Sequence, residues 1–326
     1  MIKKALSIIL SVIMLLLCFG CNTGERVFSK TFFAMDTMMK ITLYDVDEVM
    51  ANQLFSICYD EILREENLFS VNIAASDISR INASKGDNVT LSQETVLIIK
   101  KAVSLSKLTD GAFDITVYPV VKLWGFYGNE YSIPESDDII KALGFTGSKN
   151  IEFLGNSVRM PKNSGIELGA IAKGYLGDRL KSIIKENGVE SAVISLGGNI
   201  TLIGDKPNGE PWSVAIKSPF SQNEFIYEFL ISGDLSVVTS GAYERYFEKN
   251  GKIYHHIIDP DTGYPAESDL ASVTVIGEDG AICDALSTAL FVMGKEEALT
   301  FLSQREEISY VLVSNGGEIT KSENLS

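Results

Sequence analysis

Histidine and cysteine are scarce in this chain of 326 residues, which has two histidines and four cysteines. So few imidazoles and thiols exclude a histidine-rich metal site, a cysteine-based zinc site and a disulfide framework. Basic residues are also few, since the chain has 28 Lys and Arg against 43 Asp and Glu, which gives a formal net charge of −15. A surface of that sign repels a phosphate backbone, so nucleic acid is not expected as a partner.

Apolar residues are plentiful, at 45% of the chain, and part of this excess lies at the start. Two lysines precede an apolar run from Ala5 to Phe19, which is followed by Gly20 and Cys21. This pattern predicts a secretory signal peptide over residues 1–20, since the run is shorter than the roughly 20 residues of a spanning helix. The cysteine after a small residue resembles the bacterial lipobox, which predicts lipidation of Cys21 and a tether over 21–29. A plain cleaved signal and an uncleaved anchor are the alternatives.

The rest of the chain is predicted to be a mixed α/β domain with largely antiparallel sheets and flanking helices. Apolar periodicity predicts helices over 48–68, 92–107, 135–143, 170–186, 280–293 and 295–304. It predicts strands within 26–46 and over 191–196, 199–204, 212–217, 224–231, 235–239, 243–248, 252–258, 270–276 and 308–313. We expect a single domain over 30–326, with a division into two lobes near the loop-rich stretch 111–165 as the alternative.

The two histidines are adjacent, at His255 and His256, in a stretch predicted to be a strand. Neighbouring side chains on a strand point to opposite faces, so at most one of them can face a given pocket. One candidate general base therefore remains, and a structural role at the strand end is an equally weighted alternative. Cys58 and Cys283 each lie in an apolar helical pattern, which favours two buried thiols over a disulfide.

Asp284 and Thr288 lie four residues apart in a predicted helix, and hence on one face. A carboxylate and a hydroxyl so placed can give Mg²⁺ two oxygen ligands, although a packing or capping role is favoured when the pattern is taken alone. A turn at Gly169 and Ala170 leads into a helix carrying Lys173, an arrangement that can accept a phosphate. Its spacing matches neither the phosphate-loop nor the dinucleotide-binding fingerprint.

Seven segments in order resemble the ApbE-type FAD:protein FMN transferases. They are FAMDT (33–37), GAFDITVYPVVKLWGF (111–126), ELGAIAKGYLGD (167–178), SLGGN (195–199), TSGAYERYF (239–247), HHIIDPDTGYP (255–265) and CDALSTALFVMG (283–294). The resemblance covers residues 30 to 314, and it implies the T-fold-like architecture of that family. It also implies a secreted bacterial lipoprotein, held by its lipid at the cytoplasmic membrane.

The resemblance implies an enzyme that uses Mg²⁺, splits FAD, releases AMP and transfers FMN to a Thr or Ser hydroxyl of an extracytoplasmic flavoprotein. It implies that His256 is the base, and that Asp284, Thr288 and the main-chain carbonyl of Ala170 hold the metal. The residues that it places against FAD are Met35, Asn72, Ala112, Phe113, Asp114, Glu167, Lys173 and Ile258.

Two positions depart from the family pattern. Glu167 stands where many members have Asp, a change of one methylene that keeps the carboxylate. Asn72 stands where many have a Tyr that can stack on the ligand, so we expect weaker FAD retention and more water access. A metal-dependent FAD pyrophosphatase is therefore one alternative function, and an FAD-binding or scavenging lipoprotein is another.

Overall fold

The computed structural model describes residues 26–128, 130–221 and 223–325. The predicted signal peptide and Cys21 lie outside the described residues. The predicted tether ends before residue 29, because Val27 already begins the first strand. Within the described part of the chain, no helix has both the length and the apolar character needed to cross a membrane.

A twisted antiparallel sheet of eight strands forms the centre of the molecule. Numbered in chain order, its strands lie side by side as β1 (Val27–Ala34), β2 (Thr37–Tyr44), β6 (Ala192–Leu196), β7 (Asn199–Ile203), β10 (Ser236–Gly241), β13 (Leu270–Gly277), β14 (Ser309–Ser314) and β15 (Ile319–Lys321). Three smaller antiparallel sheets are also present. The first contains, in order, β3 (Val89–Thr90), β5 (Ser157–Arg159) and β4 (Glu152–Leu154). The second pairs β8 (Trp212–Lys217) with β9 (Phe225–Ile231), and the third pairs β11 (Tyr246–Lys249) with β12 (Lys252–His255). The predicted antiparallel α/β class is confirmed.

The described residues also form seven α-helices, which are α1 (Glu48–Phe69), α2 (Asp77–Asn82), α3 (Gln93–Leu108), α4 (Tyr118–Trp124), α5 (Ser136–Leu143), α6 (Ala172–Glu186) and α7 (Gly280–Leu302). The backbone of α7 is non-helical at Gly294, with φ 76° and ψ 175°, so the two successive helices predicted there are confirmed. Ser92 caps α3 by accepting a hydrogen bond from the Thr95 N–H, as a serine at that position predicts.

Several predicted boundaries were wrong. Helix α4 lies within the stretch 111–165 that the sequence predicts to be rich in loops, because Pro119 occupies the first helical turn, where its missing N–H costs nothing. The predicted strand 252–258 ends at His255, and the strand predicted over 243–248 begins only at Tyr246. Helix α6 begins at Ala172 rather than at residue 170.

Both faces of the central sheet are covered. Helices α1, α6 and α7 pack on one face, where Val275 of β13 meets Leu286 of α7. The β8–β9 hairpin packs on the other face, where Ile276 meets Phe229. All eight residues of β13 are accordingly buried. Among the described residues, the two cysteines are Cys58 and Cys283. Both are buried free thiols, as predicted.

Candidate active site

One cavity of about 450 Å³ opens where the β1–β2 turn, the end of α1, the loop before α6, strand β10 and helix α7 meet. Twelve residues predicted for the site line it, namely Met35, Asn72, Ala112, Phe113, Asp114, Glu167, Ala170, Lys173, His256, Ile258, Asp284 and Thr288. The structure thus brings these positions together from distant parts of the sequence. A volume of this size is typical of small-molecule sites.

Helices α6 and α7 touch backbone to backbone beside the cavity. A Cβ atom on Gly174 of α6 would lie 2.0 Å from the carbonyl oxygen of Gly280, so only glycine permits this approach. The close crossing lets the Gly174 N–H donate to Asp284 Oδ2 at 2.9 Å. Asp284 is buried, with 3% of its surface exposed, and this donor in the positive first turn of α6 stabilises its carboxylate.

The carbonyl oxygen of Ala170 is also available to a ligand. Ala170 precedes the N-cap Ile171, whose carbonyl accepts the first helical hydrogen bond from the Tyr175 N–H, so a regular helix start directs no N–H to Ala170. The neighbouring carbonyls are used, since Leu168 accepts from the Ile171 and Ala172 N–H groups and Gly169 accepts from Lys173 Nζ at 3.2 Å. Among the described residues, no donor reaches the Ala170 oxygen. It can therefore serve as a ligand to a cation.

Asp284 and Thr288 both line the cavity from one face of α7, four residues apart as predicted. With the Ala170 carbonyl they form a set of oxygen donors containing one carboxylate. Mg²⁺ prefers such a set, because it takes one or two carboxylates and completes its shell with water and phosphate oxygens. The residues present therefore fit this ion.

The two histidines have different surroundings. The ring of His255 is buried, and its Nε2–H donates to the Ala266 carbonyl at 3.1 Å. His256 follows the end of β12 and faces the cavity, with Nδ1 lying 3.1 Å from the Arg245 carbonyl oxygen. A carbonyl can only accept, so Nδ1 of His256 carries the proton and Nε2 presents a lone pair.

The electrostatic surroundings keep His256 neutral. Burial lowers its pKa far below the usual value, and the positive charges of Arg245 and Lys173 lower it further. At neutral pH the ring therefore needs no prior deprotonation before Nε2 accepts a proton. A neutral ring is necessary for a general base, but a pKa lowered this far also weakens the ring as a proton acceptor.

The remaining predicted carboxylates are held by local donors. Glu167 Oε2 accepts from the Tyr127 hydroxyl and from the Gly169 N–H, both at 2.7 Å. Asp114 Oδ1 accepts from the Thr116 N–H at 2.8 Å, and its Oδ2 accepts from the Ser148 N–H at 3.0 Å. Both side chains thus have fixed orientations at the cavity wall.

The apolar wall comes from Phe113 and Ile258, which are buried, and from the half-buried Ala112. Asn72 is exposed in the segment that follows α1, and its backbone N–H donates to Ser70 Oγ at 3.1 Å. At Asn72 the wall accordingly presents a small polar side chain.

The turn between β1 and β2 presents Met35 to the cavity in a left-handed conformation. Met35 and Asp36 have φ values of 49° and 57°, as in a two-residue hairpin turn that usually contains glycine or asparagine. The Met35 N–H donates to Glu66 Oε1 at 2.7 Å, which holds the turn against the end of α1. Backbone strain of this kind is often retained at functional sites.

Sequence reasoning missed several residues of the cavity wall. Ser240, Tyr127 and Arg245 all line it. Ser240 and Arg245 lie in a segment that carried the family resemblance, 239–247, and Tyr127 directly follows another, 111–126, so the available signal was the segment and not the single residue. Ser240 contacts Thr288, with 3.2 Å between the two hydroxyl oxygens.

Charge in the cavity is strongly negative. Among the described residues that line it, six are acidic (Asp36, Glu66, Asp114, Glu167, Glu244 and Asp284) and two are basic (Lys173 and Arg245). With His256 neutral, the formal sum is −4.

An antiparallel α/β fold with this polar cavity defines an enzyme-like site that combines a neutral imidazole with oxygen donors for a cation. The model of the ApbE family matches residues 35–312, so the chain belongs to that family. The FAD:protein FMN transferase of Klebsiella pneumoniae is 37% identical over 303 residues, which cover 91% of this chain and 92% of the relative. This chain is therefore a member of a family of transferase enzymes.

Solved structures agree with this assignment. The ApbE protein of Thermotoga maritima superposes with a TM-score of 0.85 at 35% identity, covering 91% of this chain and 97% of that one. The apo form of the flavinyl transferase ApbE of Pseudomonas stutzeri gives a TM-score of 0.81 at 29% identity, covering 92% of this chain and 95% of that one. The family fold implied by the sequence resemblance is thus confirmed.

Proposed function

We propose that this chain is an FAD:protein FMN transferase that uses Mg²⁺ and modifies a Thr or Ser hydroxyl of a target flavoprotein. The observation that carries the proposal is the convergence of a neutral His256, a stabilised Asp284 and the free Ala170 carbonyl on one cavity. These groups come from three separate segments, and each has the protonation or hydrogen-bonding state that the reaction needs.

In the proposed reaction the acceptor oxygen attacks the FMN phosphorus and the phosphoanhydride bond to AMP breaks. The acceptor proton goes to Nε2 of His256, and the Arg245 carbonyl holds the ring by its opposite nitrogen. Asp284, Thr288 and Ala170 would hold Mg²⁺, which when bound neutralises pyrophosphate charge and favours departure of AMP. Lys173 adds positive charge at the phosphate position, and Met35, Phe113 and Ile258 provide apolar contact for the rings.

The test is to incubate the chain with FAD, Mg²⁺ and a candidate flavoprotein, and to measure covalent FMN by in-gel fluorescence and the added mass. The wild type should label the acceptor and release AMP in equal amount. His256→Gln should bind FAD with nearly unchanged affinity and lose labelling by roughly two orders of magnitude or more, since general-base catalysis contributes about that much. Full labelling by this variant would refute the role of His256.

Asn72 supports a second candidate, a metal-dependent FAD pyrophosphatase in which water is the acceptor. An exposed amide at the cavity wall lets water approach more readily than a stacked aromatic ring would. Free FMN that appears with AMP at a rate exceeding covalent label, with acceptor present, would favour this function. An FAD-binding or scavenging protein would form neither product.

We also propose that the enzyme works outside the cytoplasm, anchored by lipid on Cys21. The support is the leader pattern over residues 1–20 and the small residue before Cys21. Cys21→Ser should abolish incorporation of labelled fatty acid and release the protein from the membrane fraction. Persistence of the lipid label in this variant would refute the anchor.

A further inference from the structure

A chain of three hydroxyl groups begins at the cavity wall and runs from α7 to β10 and back to a buried position on α7. Thr288 Oγ1 lies 3.2 Å from Ser240 Oγ, which lies 2.7 Å from Ser287 Oγ. Ser287 Oγ in turn lies 2.9 Å from the main-chain carbonyl oxygen of Asp284. Ser287 is fully buried and Ser240 is half-buried.

The end of the chain fixes the direction of its protons. The Asp284 carbonyl can only accept, so Ser287 donates its single hydroxyl proton there. Ser287 must then accept from Ser240, which uses the proton of Ser240. The remaining contact can form only if Thr288 donates its proton to Ser240.

This direction determines what Thr288 offers to the cavity. Its only proton points back to Ser240, so the lone pairs of Oγ1 are left for a ligand in the cavity. A hydroxyl held in this way is a ligand for a cation and not a hydrogen-bond donor to phosphate. The Thr288 hydroxyl is oriented before any ligand binds, so binding does not carry the entropy cost of ordering it.

We propose that Ser240 and Ser287 are positioning residues that orient Thr288 as a metal ligand. The inference rests on the proposed function, because it assumes that the cation lies between Asp284 and Thr288. Partners of this kind orient metal ligands, and their loss typically weakens metal binding by about 10- to 100-fold.

Removing each serine hydroxyl should disturb the orientation of the Thr288 hydroxyl in a different way. Ser240→Ala removes the acceptor for the Thr288 proton, which is then free to point into the cavity. Ser287→Ala frees the proton of Ser240 to donate to Thr288 Oγ1, where it competes for a lone pair. Ser287 does not line the cavity, so its effect on metal binding cannot come from direct contact with the ligand.

The experiment measures binding of Mn²⁺ alone to the FAD-free protein, by electron paramagnetic resonance of the free ion. Ser240→Ala and Ser287→Ala should each weaken binding about tenfold. Ser240→Thr, which keeps the hydroxyl, should restore most of the affinity. The matched control is Ser272→Ala, a buried serine of the neighbouring strand β13 whose hydroxyl has no partner among the described residues. It should leave Mn²⁺ affinity unchanged.

The outcomes separate this inference from the proposed function. The positioning role would be overturned, and the metal site kept, if Asp284→Ala abolished Mn²⁺ binding while Ser240→Ala and Ser287→Ala both bound Mn²⁺ as tightly as the wild type. No binding by the folded wild type, shown by circular dichroism, would overturn both. Equal weakening by Ser272→Ala would reduce the effect to general core damage and also refute the inference.

Discussion

Glu65 occupies a position in the hydrophobic core where its charge is unsupported. It belongs to the buried stripe of α1, between Ile62 and Phe69, and is fully inaccessible to solvent. Neither of its carboxylate oxygens has a hydrogen-bond partner. Carboxylate oxygens of Glu61 and Glu94 lie within 4.8 Å of it and of each other. A buried ionised carboxylate in such surroundings is costly.

The nearby arginine side chains form hydrogen bonds with the other two carboxylates and not with Glu65. Arg64 donates to both Glu61 and Glu94, at distances of 2.6–3.0 Å, and Arg179 donates to Glu61 at 2.7 Å. Burial, followed by the negative charges of Glu94 and Glu61, raises the pKa of Glu65 to about 9. We therefore expect Glu65 to be protonated and neutral at pH 7.

The sign of the effect on stability follows from proton linkage. The pKa of Glu65 is about 9 in the folded state against 4.5 normally. Between these values the folded state binds more protons than the unfolded state. The free energy of unfolding should therefore fall as pH rises, by about 1.4 kcal/mol per pH unit. From pH 5 to pH 8 the contribution of Glu65 amounts to about 4 kcal/mol.

Glu65→Gln removes this titration while keeping nearly the same shape. The free energy of unfolding, measured by urea titration at several pH values, should be nearly equal for both proteins at pH 5. At pH 8 the variant should be more stable than the wild type by several kcal/mol. Glu48→Gln, at an exposed position in the first turn of the same helix, is the control and should follow the wild type. Parallel curves for the wild type and Glu65→Gln would refute the reasoning.

Two further substitutions probe the cavity. Gly174→Ala puts a Cβ atom 2.0 Å from the Gly280 carbonyl and 2.8 Å from Asp284 Cβ, so α6 and α7 must separate. We expect a loss of about 2 kcal/mol or more in urea unfolding together with weaker Mn²⁺ binding; unchanged values for both would contradict the crossing geometry. Asn72→Tyr adds a ring to the wall and should raise the ratio of covalent to free FMN, as measured by chromatography. An unchanged ratio would show that Asn72 does not control water access.

Sequence patterns predicted the elements whose apolar periodicity is long and uninterrupted. Helix α1 and the two halves of α7 are of this kind, and glycine at 294 marked the break between them. The short elements escaped prediction because strands of two or three residues, such as β3 and β5, contain too few positions for a period to appear. Helix α4 lies in a stretch where proline and glycine predict loops, because a proline breaks a helix in its interior but is tolerated in the first turn, where Pro119 lies.

The sequence predicts which residues belong to the candidate site better than it predicts how their atoms are arranged. Whole segments of the chain indicated which residues belong together, but no sequence period shows that the Gly174 N–H donates to Asp284. That hydrogen bond depends on two helices about a hundred residues apart in the sequence touching at Gly174 and Gly280. Tertiary contacts of this kind are set by packing, which a single sequence does not display.

The charge of the cavity gives the proposed metal a second purpose. A net charge of −15 excludes a polyanion spread over the surface, but it leaves open whether one pyrophosphate can enter a pocket. The pocket is itself acidic, with six carboxylates and two basic side chains. Local N–H and hydroxyl donors stabilise Glu167 and Asp284 without cancelling their charge. Lys173 and Arg245 alone therefore leave an anionic ligand facing a negative wall. A divalent cation held beside Asp284 would add two positive charges where the phosphates would lie, so in the proposed enzyme Mg²⁺ would be needed for FAD to bind as well as for the bond to break.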